Sequence, residues 1–250
     1  MSVLGIDIGG TGIKGGLVDF PAGTIQGDPV HFPTPQPASP LAITRVIKRM
    51  VDHFQWKGPV GVGFPGPIRK GLVETAVNLS SQWVGKNPEK IFKKATRQHF
   101  VVMNDADAAG LAELHYGAGK NDKGVVVMIT LGTGIGSALF YQGILIPNTE
   151  LGHLTLEGKD AEKSASAKAR EVHEWSWKKW SRKVREYLQQ VDRLINPDLI
   201  IVGGGVSKRA EKWLPRAAKG VRAKVMPAKL HNEAGIVGAA MAAGRGRGLG

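Results

Sequence analysis

Cysteine is absent from this sequence of 250 residues. That excludes disulfides and thiolate metal sites, and it fits the reducing conditions of the cytoplasm. Long apolar runs are missing too. No stretch approaches membrane-spanning length, and Met1-Ser2-Val3-Leu4 leads straight into a strand pattern without the basic and apolar regions of a signal peptide. A cytoplasmic protein with no membrane partner is therefore expected. Acidic residues are scarce: 21 Asp and Glu stand against 34 Lys and Arg, a formal net charge of +13. The excess is concentrated in residues 205–231, where Lys208, Arg209, Lys212, Arg216, Lys219, Arg222, Lys224 and Lys229 are opposed only by Glu211. Such a field favours polyanions, whether nucleic acid, phosphate chains or anionic membrane, and equally describes a solubilising face. The length allows one large domain or two ordinary ones.

Against these shortages stands a glycine-rich turn that occurs twice, each time after an apolar run. The first copy is Leu4-Gly5-Ile6-Asp7-Ile8-Gly9-Gly10-Thr11-Gly12-Ile13-Lys14, and the second is Met128-Ile129-Thr130-Leu131-Gly132-Thr133-Gly134-Ile135-Gly136-Ser137. Glycine lets backbone N–H groups converge on an anion with no Cβ in the way, and the threonine hydroxyls add donors. Gly10-x-Gly12-x-x-Gly15 formally matches the dinucleotide fingerprint, which requires a helix next and an acid about 20 residues on. Here Gly16-Leu17-Val18-Asp19-Phe20 reads as a second strand, and His31 to Pro37 contains no acid, so a Rossmann site is disfavoured. No Gly-Lys-Ser/Thr follows either turn, which removes the Walker A alternative.

The remaining pattern alternates strands and helices. A helix is expected from Leu41 to about Phe54, with Ile43, Val46, Ile47 and Met50 on one face, then a strand from Val60 to Phe64. A strand at 100–103 ends in Asn104-Asp105-Ala106-Asp107 before a helix from Ala108 to Tyr116, which places polar groups at a carboxyl edge, where open α/β sheets bind ligands. The second half repeats the scheme: a strand from Val125 to Leu131, then an antiparallel pair from 137–140 and 143–146. One long helix is expected from about Glu171 to Ile195, with Trp177, Trp180, Val184, Leu188, Val191 and Leu194 as a core or subunit-interface stripe. A strand from Leu199 to Val202 leads into Gly203-Gly204-Gly205 and another helix. A last helix covers about Gly235 to Ala243, ahead of a frayed tail from Arg245 to Gly250.

Taken together, Asp7-x-Gly9-Gly10-Thr11-x-x-Lys14, Asn104-Asp105, Gly132-Thr133-Gly134-Ile135-Gly136, Glu150-x-Gly152-His153 and Gly203-Gly204-Gly205 resemble the motifs of the ROK sugar kinases, in the family's order and over nearly the whole chain. Within that family the sequence most resembles the polyphosphate glucokinases. The resemblance implies an α/β fold of the actin-like ATPase, ribonuclease-H-like type, with two lobes around a central cleft. Residues 1–108 would form the smaller lobe, with a C-terminal helix at about 235–250 packing back on it, and residues 109–234 the larger lobe. It implies transfer of a phosphoryl group from inorganic polyphosphate, and also ATP, to the 6-hydroxyl of glucose, with mannose as a further acceptor, in a homodimer. A strictly ATP-dependent hexose kinase of the same family is the alternative. Family members that regulate transcription carry a helix-turn-helix segment ahead of the first glycine turn, and a turn that begins at Gly9 leaves no room for it, so no nucleic-acid partner is expected. Typical members follow Glu-x-Gly-His with a cysteine-rich zinc loop; without cysteine there can be no such structural zinc.

The resemblance also assigns roles. Asp105 would be the base that takes the proton from the sugar 6-hydroxyl, although a position between strand and helix also suits Asp105 or Asp107 to capping. Asn78, Asn104, Glu150, His153 and Glu162 would bind sugar hydroxyls; alone, His153 would read as a structural histidine. The amides of Gly9, Gly10, Thr11 and Gly12, those of Gly132, Thr133, Gly134 and Gly136, and Lys14 would hold donor phosphates. Asp7 among phosphates implies Mg2+ between them. Gly203, Gly204 and Gly205 would lie against a nucleotide. A polyphosphate chain could follow the Lys208–Lys229 region, or a second strip of Lys86, Lys90, Lys93, Lys94 and Arg97.

Overall fold

The computed structural model describes residues 2–77 and 79–245, which form two compact units. One unit contains the chain up to Ala112 together with the segment from Glu233 onward; the other contains Glu113–Asn232.

The first unit is built on a five-stranded sheet in the order β3-β2-β1-β4-β7. Strand β1 (Ser2–Ile8) turns through the first glycine loop into antiparallel β2 (Gly12–Asp19), which pairs in turn with β3 (Thr24–Pro33). Strands β4 (Val60–Phe64) and β7 (Phe100–Asn104) then add in parallel. The small hairpin of β5 (Ile68–Arg69) and β6 (Leu72–Val73) follows β4. Successive side chains of a strand point to opposite faces, and the two faces are covered differently. Leu4, Ile6 and Ile8 of β1 and Val60, Val62 and Phe64 of β4 join one core with Ile43, Ile47 and Met50 of α1 (Pro40–His53) and Phe92 of α2 (Pro88–Thr96). On the other face the strands offer Gly5, Asp7, Gly61 and Gly63, and there the last helix, α8 (Ala234–Arg245), lies directly on the sheet. A Cβ at Gly5 would overlap the Ile236 carbonyl, one at Gly61 the Ala239 carbonyl, and one at Gly238 the carbonyl of Ala108 in α3 (Asp105–Tyr116).

The second unit repeats the strand order with β10-β9-β8-β13-β14. Strand β8 (Val125–Leu131) passes through the second glycine turn into antiparallel β9 (Ile135–Tyr141) and β10 (Ile144–Ile146), while β13 (Leu199–Gly203) and β14 (Lys224–Pro227) run parallel. A hairpin of β11 (Thr155–Leu156) and β12 (Lys159–Asp160) precedes two short helices, α4 (Glu162–Ala165) and α5 (Ala167–Val172). Here the sheet is covered by large side chains. Val127, Ile129 and Leu131 pack with Trp180, Val184, Leu188 and Val191 of α6 (Trp177–Ile195) and with Trp213.

Two expectations need correction. The single helix from Glu171 to Ile195 is broken: Glu174 takes a left-handed conformation (φ +50°), and Ser176 caps a new helix, accepting the Lys179 N–H at 3.2 Å. Within the expected stripe, Leu194 is 55 % exposed. After the third glycine turn there is no continuous helix. A run of tight turns from Gly205 to Lys212, kinked at Arg209, precedes the single-turn α7 (Leu214–Ala217). The expected tail beyond residue 245 and the candidate ligand Asn78 lie outside the described residues.

Candidate functional site

In the first unit the candidate residues gather where β1, β4 and β7 end. Register places Asp7 beside Gly63, and Phe64 beside Asn104. A Cβ at Gly63 would stand 3.4 Å from the Asp105 Cα and 3.5 Å from Asp7 Oδ1, so this glycine lies between the two aspartates. The Asp7 carboxylate also rests against Gly235 in the first turn of α8, where any side chain would collide with it. Protein encloses this carboxylate although the residue keeps a solvent-facing edge. Burial pushes its pKa up to about 6, against the pull of Lys14, its cross-strand partner. Asn104, nearly buried, is the cap of α3: its Oδ1 accepts the N–H of Ala106 at 2.8 Å and of Asp107 at 3.1 Å. The N-cap position itself is therefore held by Asn104. Asp105 begins the helix, and its Oδ1 also takes the Ala106 N–H, at 2.8 Å.

The first glycine turn is closed by Gly9 N–H to Gly12 O at 2.9 Å, and Thr34 pins it from beyond β3, its hydroxyl donating to Gly9 O at 2.6 Å. The second is closed alike, Gly132 N–H to Gly134 O at 3.0 Å, and pinned by the Lys168 N–H on Gly132 O at 3.1 Å. In both turns the leading glycine spends its amide on the loop's own shape. The third turn abuts the second: Gly204, at φ +84°, leaves no space for a Cβ beside the Leu131 backbone. Ser207 donates to its carbonyl at 2.8 Å and meets His231 Nδ1 at 3.3 Å.

The second turn also carries the acidic candidates. Buried Ser137 holds the segment that presents Glu150, donating to Thr149 O at 2.6 Å and accepting the Leu151 N–H at 3.0 Å. Gly152 then passes so close to the Ile135 carbonyl that a Cβ would overlap it, and His153 follows directly after this contact. His153 Nε2 faces Glu150 Oε2 at 3.7 Å and Glu162 Oε1 at 3.6 Å, while Nδ1 bonds Asp160 Oδ2 at 2.8 Å. The other Asp160 oxygen accepts the Glu162 N–H at 2.9 Å. The Glu162 carboxylate fills the space above Gly134 and accepts the Ile135 N–H.

Burial raises the pKa of both Glu150 and Glu162 against the pull of His153, with the Glu162 charge adding to the shift of Glu150 and the Asp160 charge to that of Glu162. The hydrogen bond to Asp160 raises that of His153, with Glu162 and Glu150 adding to it against partial burial. Beside these groups lies a cavity of about 410 Å³, lined among others by Thr133, Glu162, Lys163, Ser166, Lys168 and His173. Among the described residues no group of three or more His, Cys, Asp or Glu is arranged to hold a metal ion, and no helix is long and apolar enough to cross a membrane.

Sequence reasoning missed Asp160, Gly63, Thr34 and Gly235. Of these only Asp160 left a trace, as an acid seven positions beyond His153. The basic residues of 205–231 are exposed, and they are not all available to a ligand: Arg222 grips Asp192, Nε to Oδ2 at 2.9 Å.

The sequence pattern that defines the ROK family matches residues 3–167. The chain belongs to the ROK family. Among ROK relatives, the polyphosphate glucokinase of Mycobacterium tuberculosis (strain CDC 1551 / Oshkosh) is 50% identical over 239 residues, covering 95% of this chain and 89% of its own. The crystal structure of the inorganic polyphosphate/ATP-glucomannokinase from Arthrobacter sp. strain KM superposes with a TM-score of 0.92 at 47% identity, covering 96% of this chain and 97% of that one. A ROK glucokinase from Streptomyces griseus, in complex with glucose and AMPPNP, superposes with a TM-score of 0.86 at 25% identity, covering 98% of this chain and all of its own, 100%. The ROK fold is the actin-like, two-lobed α/β architecture, and the paired sheets of the two units conform to it.

Proposed function

We propose that the chain is a polyphosphate-dependent glucokinase that moves a terminal phosphoryl group from inorganic polyphosphate, and also from ATP, to the 6-hydroxyl of glucose, with mannose as a second acceptor. The observation that carries this reading is 50% identity over 95% of the chain to a polyphosphate glucokinase. Asp105 is the general base. It accepts the proton of the 6-hydroxyl as the new O–P bond forms and the bond to the shortened polyphosphate, or to ADP, breaks. Asn104 has committed its oxygen to α3, which leaves its amide group to donate to a sugar hydroxyl. Glu150 and Glu162 accept from hydroxyls, His153 pairs with another, and Asn78 belongs to the same set. A site that pairs each hydroxyl rejects isomers, because a mismatch strands a buried polar group.

Lys14 and the amides of Gly10, Thr11, Gly12, Thr133, Gly134 and Gly136 hold donor phosphates; Gly9 and Gly132 shape the two loops. Gly203, Gly204 and Gly205 serve the nucleoside when ATP is the donor. The cavity with Lys163 and Lys168 on its walls suits the anionic remainder of a polyphosphate better than the scattered surface lysines do. An enclosed carboxylate at Asp7, outside any group of three or more metal-binding side chains among the described residues, fits Mg2+, which binds through one or two carboxylates plus substrate phosphates and water. When bound, the ion would neutralise charge on the donor phosphates.

The enzyme would work in the cytoplasm as a homodimer, a state that sedimentation velocity would check. The deciding experiment supplies glucose and purified long-chain polyphosphate without nucleotide and measures glucose 6-phosphate. Turnover supports the proposal; turnover with ATP alone would leave a strictly ATP-dependent hexose kinase.

A further inference from the structure

Among the side chains that surround the second glycine turn, one carboxylate has no place in the reaction above. Asp160, in β12, spends one oxygen on His153 Nδ1 at 2.8 Å and the other on the Glu162 backbone N–H at 2.9 Å. It therefore ties together two groups assigned to the sugar, one by its ring and the other by its main chain. An imidazole with Nδ1 against a carboxylate carries its proton there. Its opposite nitrogen, Nε2, then faces Glu150 at 3.7 Å and Glu162 at 3.6 Å. A neutral ring in this pose would aim a lone pair at two carboxylates. A doubly protonated ring offers them an N–H instead, or offers it to a hydroxyl that enters between them.

We propose that Asp160 is a positioning residue for sugar recognition: by holding the Nδ1–H of His153 it keeps the ring charged and directs Nε2–H as the donor to a hexose hydroxyl, with Glu150 and Glu162 as the neighbouring acceptors. This rests on the assignment of His153 to the sugar. The groups that set its protonation are Asp160 from β12, Glu150 from the loop after β10, and Glu162 from α4. Lys163 of α4 acts on Asp160, and Tyr187 of α6 feels the Glu162 charge. Burial works against an ionised Asp160, yet the bonds from His153 and the Glu162 amide hold its carboxyl below the usual range, so the shifts of both partners favour the ion pair.

The sign of the pH effect follows. A histidine whose pKa is raised keeps its proton further into the alkaline range, so Nε2–H donation is present below that pKa and lost above it. Removing the Asp160 charge moves this loss to lower pH.

Two measurements test the assignment. With imidazole nitrogens labelled by 15N, two-bond 1H–15N correlation spectra report the protonation of each ring nitrogen without any substrate. His153 of the wild type should titrate above the ordinary histidine range and settle, once neutral, as the Nδ1–H form. Asp160→Asn should lower that titration, and Asp160→Ala should release the Nε2–H form. In glucose kinetics, Asp160→Asn should raise KM for glucose about tenfold with kcat and the donor KM little changed. The alkaline limb of kcat/KM for glucose should also move to lower pH. A purely structural role would alter both substrates' KM together and leave that limb in place. A wild-type Nε2–H tautomer, or an alkaline limb unmoved in both variants, overturns the proposal. If the wild type phosphorylates no sugar, the proposed function fails while the spectra still decide the His153–Asp160 arrangement.

Discussion

The two units share a strand order and a glycine turn at the same place in it, yet they hold their acids by opposite means. In the first unit Asp7 and Asp105 stand at the edge of a sheet whose backbone touches helix backbone directly, through Gly5, Gly61 and Gly238. In the second, Glu150, His153, Asp160 and Glu162 are held by a chain of side-chain hydrogen bonds anchored on Ser137 and Ile135, over a core of tryptophans. The first arrangement fixes position chiefly by close backbone packing, with Asp7, its pKa pushed up to about 6, and Lys14 as the titratable neighbours. The second is made of titratable groups. It follows that the chemistry should be sensitive to added bulk, and the recognition of sugar to pH.

The sharpest way to break this division is Asp105→Asn, which keeps shape and removes the proposed base. Turnover should fall by about 10²- to 10⁴-fold. Glucose affinity, read by titration calorimetry, should change little; retained activity would place the base elsewhere. Next comes bulk. Gly61→Ala puts a methyl group where the Ala239 carbonyl lies, and urea denaturation should show a loss of about 1–3 kcal/mol or more, with turnover falling too. Native stability in that variant would mean that α8 can lift from the sheet without cost. In the second unit, Glu162→Gln should raise KM for glucose by roughly tenfold or more while kcat moves less. The wild-type kcat/KM for glucose should be bell-shaped in pH. Glu150 and Glu162, with raised pKa values, stop accepting as pH falls, and His153 stops donating as pH rises past its own raised value. The smallest effect is expected from Lys163→Ala with Lys168→Ala. KM for polyphosphate should rise a few-fold, and the slope of log KM against log salt should flatten by roughly one unit per lysine. Equal effects on ATP would show that the cavity does not single out the polyanion.

Much of this division was legible in the sequence. The glycine turns, the strand-end Asn104-Asp105 pair and the Glu-x-Gly-His segment are local patterns, and locality is what sequence displays. Strands such as Val60–Phe64 announced themselves by composition. Strand β3 did not: its residues are mostly exposed, and Gly27, Asp28 and Pro29 interrupt it. The long-helix expectation failed at its start: the apolar stripe lies wholly within Trp177–Ile195, and the break before it at Glu174 shows only in the backbone conformation. Gly63 and Gly235 looked like any other glycines, since their meaning lies in which carboxylate they face, and the facing residues are distant in sequence. Asp160 escaped for a related reason: the β11–β12 hairpin folds it back on His153, and a two-residue strand pair carries too little pattern to be read.

The placement of α8 bears on how the protein comes into being at the ribosome. The first unit is assembled from both ends of its sequence, with Glu113–Asn232 made in between. Until residues 234–245 emerge, the glycine-lined face of β1 and β4 has no cover and Asp7 has no helix behind it. The intervening unit can complete its own core earlier, so synthesis closes the tryptophan-containing core of the second unit before the glycine-lined face of the first. A nascent or truncated chain that ends before Ala234 would therefore leave Gly5, Gly61 and Asp7 uncovered, and the edge proposed for the chemistry is completed only when the last helix arrives.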